Sequence, residues 1–187
     1  MKKLLMAFAI VCSVSVLRAE ADYYATVCAW VPGQIPMSSS SQINGLRVTL
    51  FYGDCLRLNG LDLAILGANR VREGLKGVSV ASVFERANTA AGLQLGFVNM
   101  VENEFAGVQF GMWDHAGHGY GTQWSVVNTA GYFGGLQLGL INCADQYDGL
   151  QLGLFNWADD LDGLQLGLIN VVADQTLCVL PFLNIGW

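Results

Sequence analysis

Positive charge is scarce in this sequence and ends early. The 187 residues include nine Lys and Arg against 15 Asp and Glu. No Lys or Arg follows Arg86, whereas nine carboxylates do. A surface of this kind repels phosphate backbones and anionic lipid headgroups. The composition therefore excludes nucleic acid as a partner and argues against electrostatic attachment to an acidic membrane.

The signatures of common catalytic and metal sites are also missing from the sequence. It has no Gly-x-Ser-x-Gly or Gly-x-Cys-x-Gly nucleophile turn, no Gly-x-x-x-x-Gly-Lys phosphate loop and no Gly-x-Gly-x-x-Gly fingerprint. None of the five cysteines belongs to a Cys-x-x-Cys pair, so a zinc or thioredoxin-like site has no support. We therefore expect a protein that is not an enzyme and that carries no cofactor, calcium being the alternative considered below.

The N-terminus has the pattern of a secretory signal. Lys2 and Lys3 precede an apolar run over residues 4–17, which is too short to span a bilayer comfortably. The small-x-small sequence at 19–21 then fits a cleavage site. We predict that residues 1–21 are a signal peptide and that the exported chain begins at Asp22.

The dominant feature of the chain is a repeat with the consensus Gly-Leu-Gln-Leu-Gly-Leu-x-Asn. Weaker copies begin at Gly45, Gly60 and Gly77, and a degraded one begins at Leu177. We therefore predict an N-terminal cap over 22–44, tandem repeats over 45–176 and a capping repeat over 177–187. The clear copies start 14 or 15 residues apart at Gly92, Gly107, Gly121, Gly135, Gly149 and Gly163.

Aligning the copies gives eight columns of like residues, numbered one to eight from the first Gly of the consensus. Apolar-Gln-apolar-Gly-apolar alternates with the period of a strand that has one apolar face. We expect the apolar columns to fill a core and the Gln column to face water, with neighbouring Gln amides bonded to each other. The third column is Gln94, Gln109, Gln123, Gln137, Gln151 and Gln165, and the eighth is Asn99, Asp114, Asn128, Asn142, Asn156 and Asn170.

Two all-β folds can hold such a repeat. In a β-solenoid of about ten 14-residue coils, like residues stack on like, roughly 4.8 Å apart. In a transmembrane up-and-down β-barrel, each unit is one strand and its turn, with Leu facing lipid. The uniformly short connections and the strict Gln column favour the solenoid, and the barrel is the alternative.

The four cysteines that follow the signal peptide can form disulfides in an exported chain. In stacked coils, Cys143 and Cys178 lie about 14 Å apart, beyond the reach of a disulfide. We predict that these two do not pair with each other. Cys28 and Cys55, in or near the N-terminal cap, form the one pairing that the stacked arrangement leaves plausible.

Two polar segments are candidate binding sites. Asp114, His115 and His118 place imidazole and carboxylate groups in one turn, which suits a metal or ligand site. The alternative is a polar turn in which Asp114 occupies the Asn column. Stacked aspartates in the later turns are weak calcium candidates, the alternative being solvated turns. These aspartates are Asp145, Asp148, Asp159 and Asp162.

The chain has tandem Gly-x-Gln-x-Gly-x-x-Asn units behind the predicted signal peptide, degenerate first units INGLRVTLFYGD and LNGLDLAILG, and a Pro-Phe-Leu-Asn ending. In these features it resembles a bacterial surface-repeat family first described in spirochaetes. The resemblance implies export to the cell surface or outer membrane, with the periplasm as an alternative. It implies no activity and no catalytic residues.

The function expected from these features is a surface scaffold or binding module whose partner is a protein or a glycan. Two other functions stay open. One is an outer-membrane barrel that acts as a pore or anchor, and the other is a calcium-stabilised extracellular module.

Overall fold

A computed structural model describes residues 18–19, 22–28, 42–175 and 178–187, with side chains described from residue 42 onward. Most of the predicted signal peptide, residues 1–17 and 20–21, lies outside this part, as does most of the predicted N-terminal cap. The described residues contain no helix long and apolar enough to span a bilayer. The strands are β1 (Arg18–Ala19), β2 (Asp22–Cys28), β3 (Gln42–Thr49), β4 (Tyr52–Ala64), β5 (Ala68–Phe110), β6 (Trp113–Trp124), β7 (Val127–Leu138), β8 (Ile141–Leu152), β9 (Phe155–Val172) and β10 (Val179–Gly186).

The strands wind into a β-solenoid, which confirms the all-β repeat fold. From β2 to β9, each strand pairs in parallel with the next. The sequence columns coincide with the ladder: Gly135 pairs with Gly149, and Gly149 pairs with Gly163. The barrel alternative is wrong, because an up-and-down barrel requires antiparallel neighbours. Nine positive-φ glycines, one per unit from Gly45 to Gly163, mark about nine coils.

Each coil has three short sides, as the unit 149–162 shows. The first side is 150–152, and the strand is interrupted at 153–154. The second side is 155–158, after which the ladder skips one residue. The third side ends at the next positive-φ glycine, Gly163. The polar turns of the sequence are therefore mostly a third strand-like side.

The glycines of columns one and five meet two different steric demands. Gly149 has φ +137°, and a Cβ there would lie 2.2 Å from the carbonyl oxygen of Gly135. A Cβ on Gly153 would lie 2.6 Å from Asn142 Nδ2 and 2.9 Å from Asn156 Oδ1. Column one therefore needs Gly for a tight corner, and column five needs it to leave room for the Asn column.

The predicted orientation of the strand faces is wrong. Every side chain of the Gln column, from Gln94 to Gln165, is fully buried. The Leu residues on either side of Gln151 are only half-buried and face outward. A coil buries four side chains, which in the unit 149–162 are Gln151, Asn156, Ala158 and Leu161. The amides can lie inside because every coil brings them a partner from its neighbours, as described below.

The C-terminal strand does not continue the repeat. β10 runs antiparallel to β9 and places Asn184 opposite Gln165. The predicted alignment of 177–184 with the repeat columns is therefore incorrect, since that alignment assumed one more parallel coil. The reversed strand spans the first two sides of the last coil, from Val171 on the second side to Gln165 and Gly163 on the first.

The cysteines whose side chains are described are free thiols. Cys143 and Cys178 are unpaired, as predicted. Cys55 is also free, is fully buried and lies in register with Val71. The backbone of Cys28 is in register with Thr49, in another column. The suggested Cys28–Cys55 bridge is therefore not formed, because the two residues lie on different sides of the coil.

Candidate functional site

The Gln column forms a hydrogen-bonded ladder inside the solenoid. Gln151 Nε2 donates to Gln137 Oε1 at 2.8 Å, and Gln165 Nε2 donates to Gln151 Oε1 at 2.7 Å. The same direction holds back to Gln94, whose Nε2 donates to Glu85 Oε1 at 3.0 Å. The predicted Gln137–Gln151 bond is thus present, but it stabilises the core and presents no binding surface.

The Asn column forms a second ladder that runs the other way. Asn142 Nδ2 donates to Asn156 Oδ1 at 2.7 Å and also to the carbonyl of Leu152 at 3.0 Å. Asn128 and Asn156 repeat both bonds with the next coil. Because each amide ties one coil to the next and to a corner carbonyl, the Asn residues of the predicted site are structural.

Asp114 replaces Asn in this ladder, as the sequence predicts, and a second replacement compensates for it. Asp114 Oδ1 accepts from Asn99 Nδ2 at 2.7 Å, but an ionised carboxylate cannot donate to Asn128 in the next coil. Ser125, the only non-glycine in column five of the clear repeats, places its Oγ 2.8 Å from Asn128 Oδ1 and 2.6 Å from the carbonyl oxygen of Val127, so its one hydrogen is shared between these two acceptors. The two departures from the repeat are therefore coupled.

This coupling can be measured with a double-mutant cycle. Ser125→Gly alone leaves Asn128 Oδ1 without a donor, and we expect it to lower the free energy of unfolding by roughly 1–3 kcal/mol. In an Asp114→Asn background, the new amide supplies that donor, so the same change should cost much less. Urea unfolding of the four proteins at pH 8 measures the coupling free energy. Additive effects would contradict the compensation.

A buried charged cluster that was not predicted from the sequence lies at the N-terminal end of the Gln column. Arg47 and Asp62, which occupy column three of the first two units, form a buried ion pair. Glu85 lies beyond them with its Oε2 unpaired, and burial raises its pKa to about 7. The repeat places Arg47 and Asp62 in column three. Because that column was predicted to face water, their burial was not expected.

Glu85 should make the fold less stable as pH rises. Its pKa is raised above the ordinary value of 4.5, so its contribution is fully present below about pH 4.5 and is lost as pH approaches 7. The loss is about 3 kcal/mol by the usual conversion. We expect Glu85→Gln, which keeps the acceptor for Gln94, to weaken the pH dependence of unfolding between pH 5 and 8. An unchanged pH dependence would contradict this assignment.

The two histidines do not form one site with Asp114. Asp114 is buried, and burial raises its pKa to about 7. His115 is half-buried with Nδ1 3.0 Å from Thr129 Oγ1, and burial lowers its pKa. His118 is exposed and lies beyond the corner at Gly117, on the third side of the coil. The predicted turn therefore keeps Asp114 inside the coil, whereas His115 and His118 lie on adjoining sides and both line a groove of about 740 Å³ around Gly117.

The aspartates proposed for calcium lie on the outer surface of the third side or at its corners. Asp148 and Asp162 are paired in register, whereas Asp145 and Asp159 occupy the corner where the ladder is interrupted. Among the described residues, no group of three His, Cys, Asp or Glu side chains is placed to hold a metal ion. We refer to this exposed flank, formed by Asp145, Gln146, Asp148, Asp159, Asp160 and Asp162, as the acidic side.

The rest of the exterior is largely apolar. Large side chains of columns four, six and seven project from the first two sides of the coil and from the corner between them. Column six alone exposes a Leu, Ile, Phe or Met in six coils. We define the apolar face by the exposed residues Ile65, Leu66, Val83, Phe97, Phe110, Met112, Trp113, Trp124, Leu140, Ile141, Leu154, Leu166, Leu168 and Ile169.

The apolar face is a candidate functional surface, although the sequence pattern predicted that its residues lie in the core. The signal that could have revealed it is numerical. Each unit from Gly92 onward carries more large apolar residues than the four side chains that one coil can bury. Comparison with protein families, curated proteins and solved structures gives no significant match, so the resemblance to the surface-repeat family stays a prediction.

Proposed function

We propose that this chain is an exported, non-enzymatic scaffold that assembles through its apolar face. The observation that carries the proposal is the exposure of that face, in which Phe97, Trp124 and Leu140 are each at least 50% accessible. Soluble monomers rarely expose a continuous apolar surface of this kind, and such surfaces mark protein or membrane contacts. The exported location rests on the predicted signal peptide.

A second copy of the chain is the partner that fits best. Both copies present apolar columns at the same strand spacing, so ridges formed by successive coils can interdigitate along the length of two rods. The acidic side lies on another flank, so apolar contact keeps the carboxylates of the two copies apart. Membrane-surface binding is disfavoured, because no Lys or Arg after Arg86 is available to border the apolar face.

The assembly can be tested on the chain that begins at Asp22 by sedimentation velocity over a range of concentrations. We expect a discrete oligomer and expect the double variant Trp124→Glu with Leu140→Glu to be monomeric. The matched control, Ala91→Glu with Gln146→Glu, adds the same charge outside the apolar face and should still assemble. A monomeric wild type, or binding of the wild type to lipid vesicles in place of self-association, would overturn the proposal.

The exported location is tested separately in cells. N-terminal sequencing of the processed chain should begin at Asp22, and protease added to intact cells should degrade the protein if it lies on the surface. A chain that keeps its N-terminal segment and stays protected inside the cell would contradict export without affecting the assembly result.

A further inference from the structure

A groove of about 970 Å³ crosses the third side of the coils, away from the apolar face. The groove lies where the residues directly before the column-one glycines are small. Lys76 and Tyr120 are the large residues at this position, at the two ends of the groove. Ala91 and Ala106, which are exposed and small, lie between them. The gap left by the two alanines forms the groove, and its volume is within the usual range for small-ligand sites.

One end of the groove is an aromatic wall. The rings of Tyr120 and Tyr132 meet edge to face with centroids 5.5 Å apart, and Tyr120 is 59% exposed. The ring of Tyr120 covers Gly134 in the next coil, where a Cβ would lie 2.8 Å from Tyr120 Cδ1. The missing side chain at Gly134 therefore lets the tyrosine lie against the coil and present apolar ring surface to the groove.

Polar and charged side chains also line the groove. Lys76 is exposed and is the only lysine after Lys3. Four arginines of the described residues form ion pairs with carboxylates, but Lys76 forms none. Asn103 and Glu104 lie along the flank of the groove, between Lys76 and the tyrosines. A free ammonium group, an amide and a carboxylate are thus placed within reach of one ligand.

We propose that this groove binds a short acidic oligosaccharide of the uronic-acid type. A sugar ring can place its apolar face on Tyr120, its hydroxyl groups can bond to Asn103 and Glu104, and its carboxylate can pair with Lys76. An extended peptide usually binds by adding a strand to an open sheet edge. The groove crosses the flank of the stack, where the strand backbones already pair with neighbouring coils. The inference is independent of assembly through the apolar face, which occupies other sides of the coil.

The test is calorimetric titration of the folded chain with trigalacturonic acid, with its fully methyl-esterified form and with a short oligoglutamate peptide. We expect the acid to bind, the ester to bind at least roughly tenfold more weakly and the peptide not to compete. Lys76→Ala and Tyr120→Ala should each weaken binding roughly tenfold or more. Arg70→Ala and Tyr52→Ala are matched controls outside the groove and should bind like the wild type.

Circular dichroism separates a local effect from misfolding, since all four variants change exposed side chains and should keep the wild-type spectrum. No binding of the acid at millimolar concentration would overturn the proposal, as would equal binding of the ester or unchanged affinity in Lys76→Ala. Competition by the peptide would assign the groove to acidic polypeptides instead.

Discussion

Replacing Gln151 with Leu is expected to destabilise the solenoid far more than replacing Leu152 with Gln. Gln151→Leu removes the donor for Gln137 Oε1 and the acceptor for Gln165 Nε2, both fully buried. Gln137 Oε1 and one hydrogen of Gln165 Nε2 are then unpaired, since the other hydrogen of Gln165 Nε2 still bonds to the Val171 carbonyl oxygen. This loss should lower the free energy of unfolding by roughly 2–5 kcal/mol. In Leu152→Gln, the new amide reaches water, so the cost should be about 1 kcal/mol or less.

The two variants are compared by urea unfolding at one low protein concentration, because Leu152 also borders the apolar face. Hydrophobicity alone predicts the opposite order, since it would place Leu in the core and Gln outside. Equal unfolding midpoints, or a less stable Leu152→Gln variant, would show that the amide ladder does not hold the core together.

Replacing Gly149 with Ala should have an effect of similar size through the backbone. A methyl group at φ +137° would lie 2.2 Å from the carbonyl oxygen of Gly135, so the corner must open or the two coils must separate. We expect a loss of roughly 3 kcal/mol or more in the free energy of unfolding. Thermal and urea unfolding of the purified variant measure it.

Gly74→Ala is the matched control for this change. Gly74 does not have positive φ, and the nearest atom to an added Cβ is Thr89 Oγ1 at 3.2 Å, in a side chain that can adjust. We expect this variant to remain within about 1 kcal/mol of the wild type. A Gly149→Ala protein as stable as the control would mean that the column-one corner tolerates side chains.

Much of the candidate surface could not have been predicted from the pattern of residues. The repeat places Asp148 over Asp162, and the structure agrees. The repeat also places Tyr120 and Tyr132 in neighbouring units. Whether their rings touch, and whether a groove forms beside them, depends on the backbone conformation at the corners of the third side. The placement of His115 and His118 on adjoining sides of the coil likewise depends on a corner at Gly117, which the spacing of the two residues does not reveal.

The sequence by itself determined the strands, the stride and the register. Identical units at a fixed spacing can keep Gln beside Gln and Asn beside Asn only if neighbouring strands are parallel, which favoured the solenoid, and the parallel pairing in the structure then excluded the barrel. Only the tertiary structure decided which strand face lies inside. Alternation separates Leu from Gln without saying which of them is buried, and the hydrophobic effect favours Leu. The narrow coil instead encloses Gln151 and Asn156, because adjacent coils supply hydrogen-bond partners for both amides.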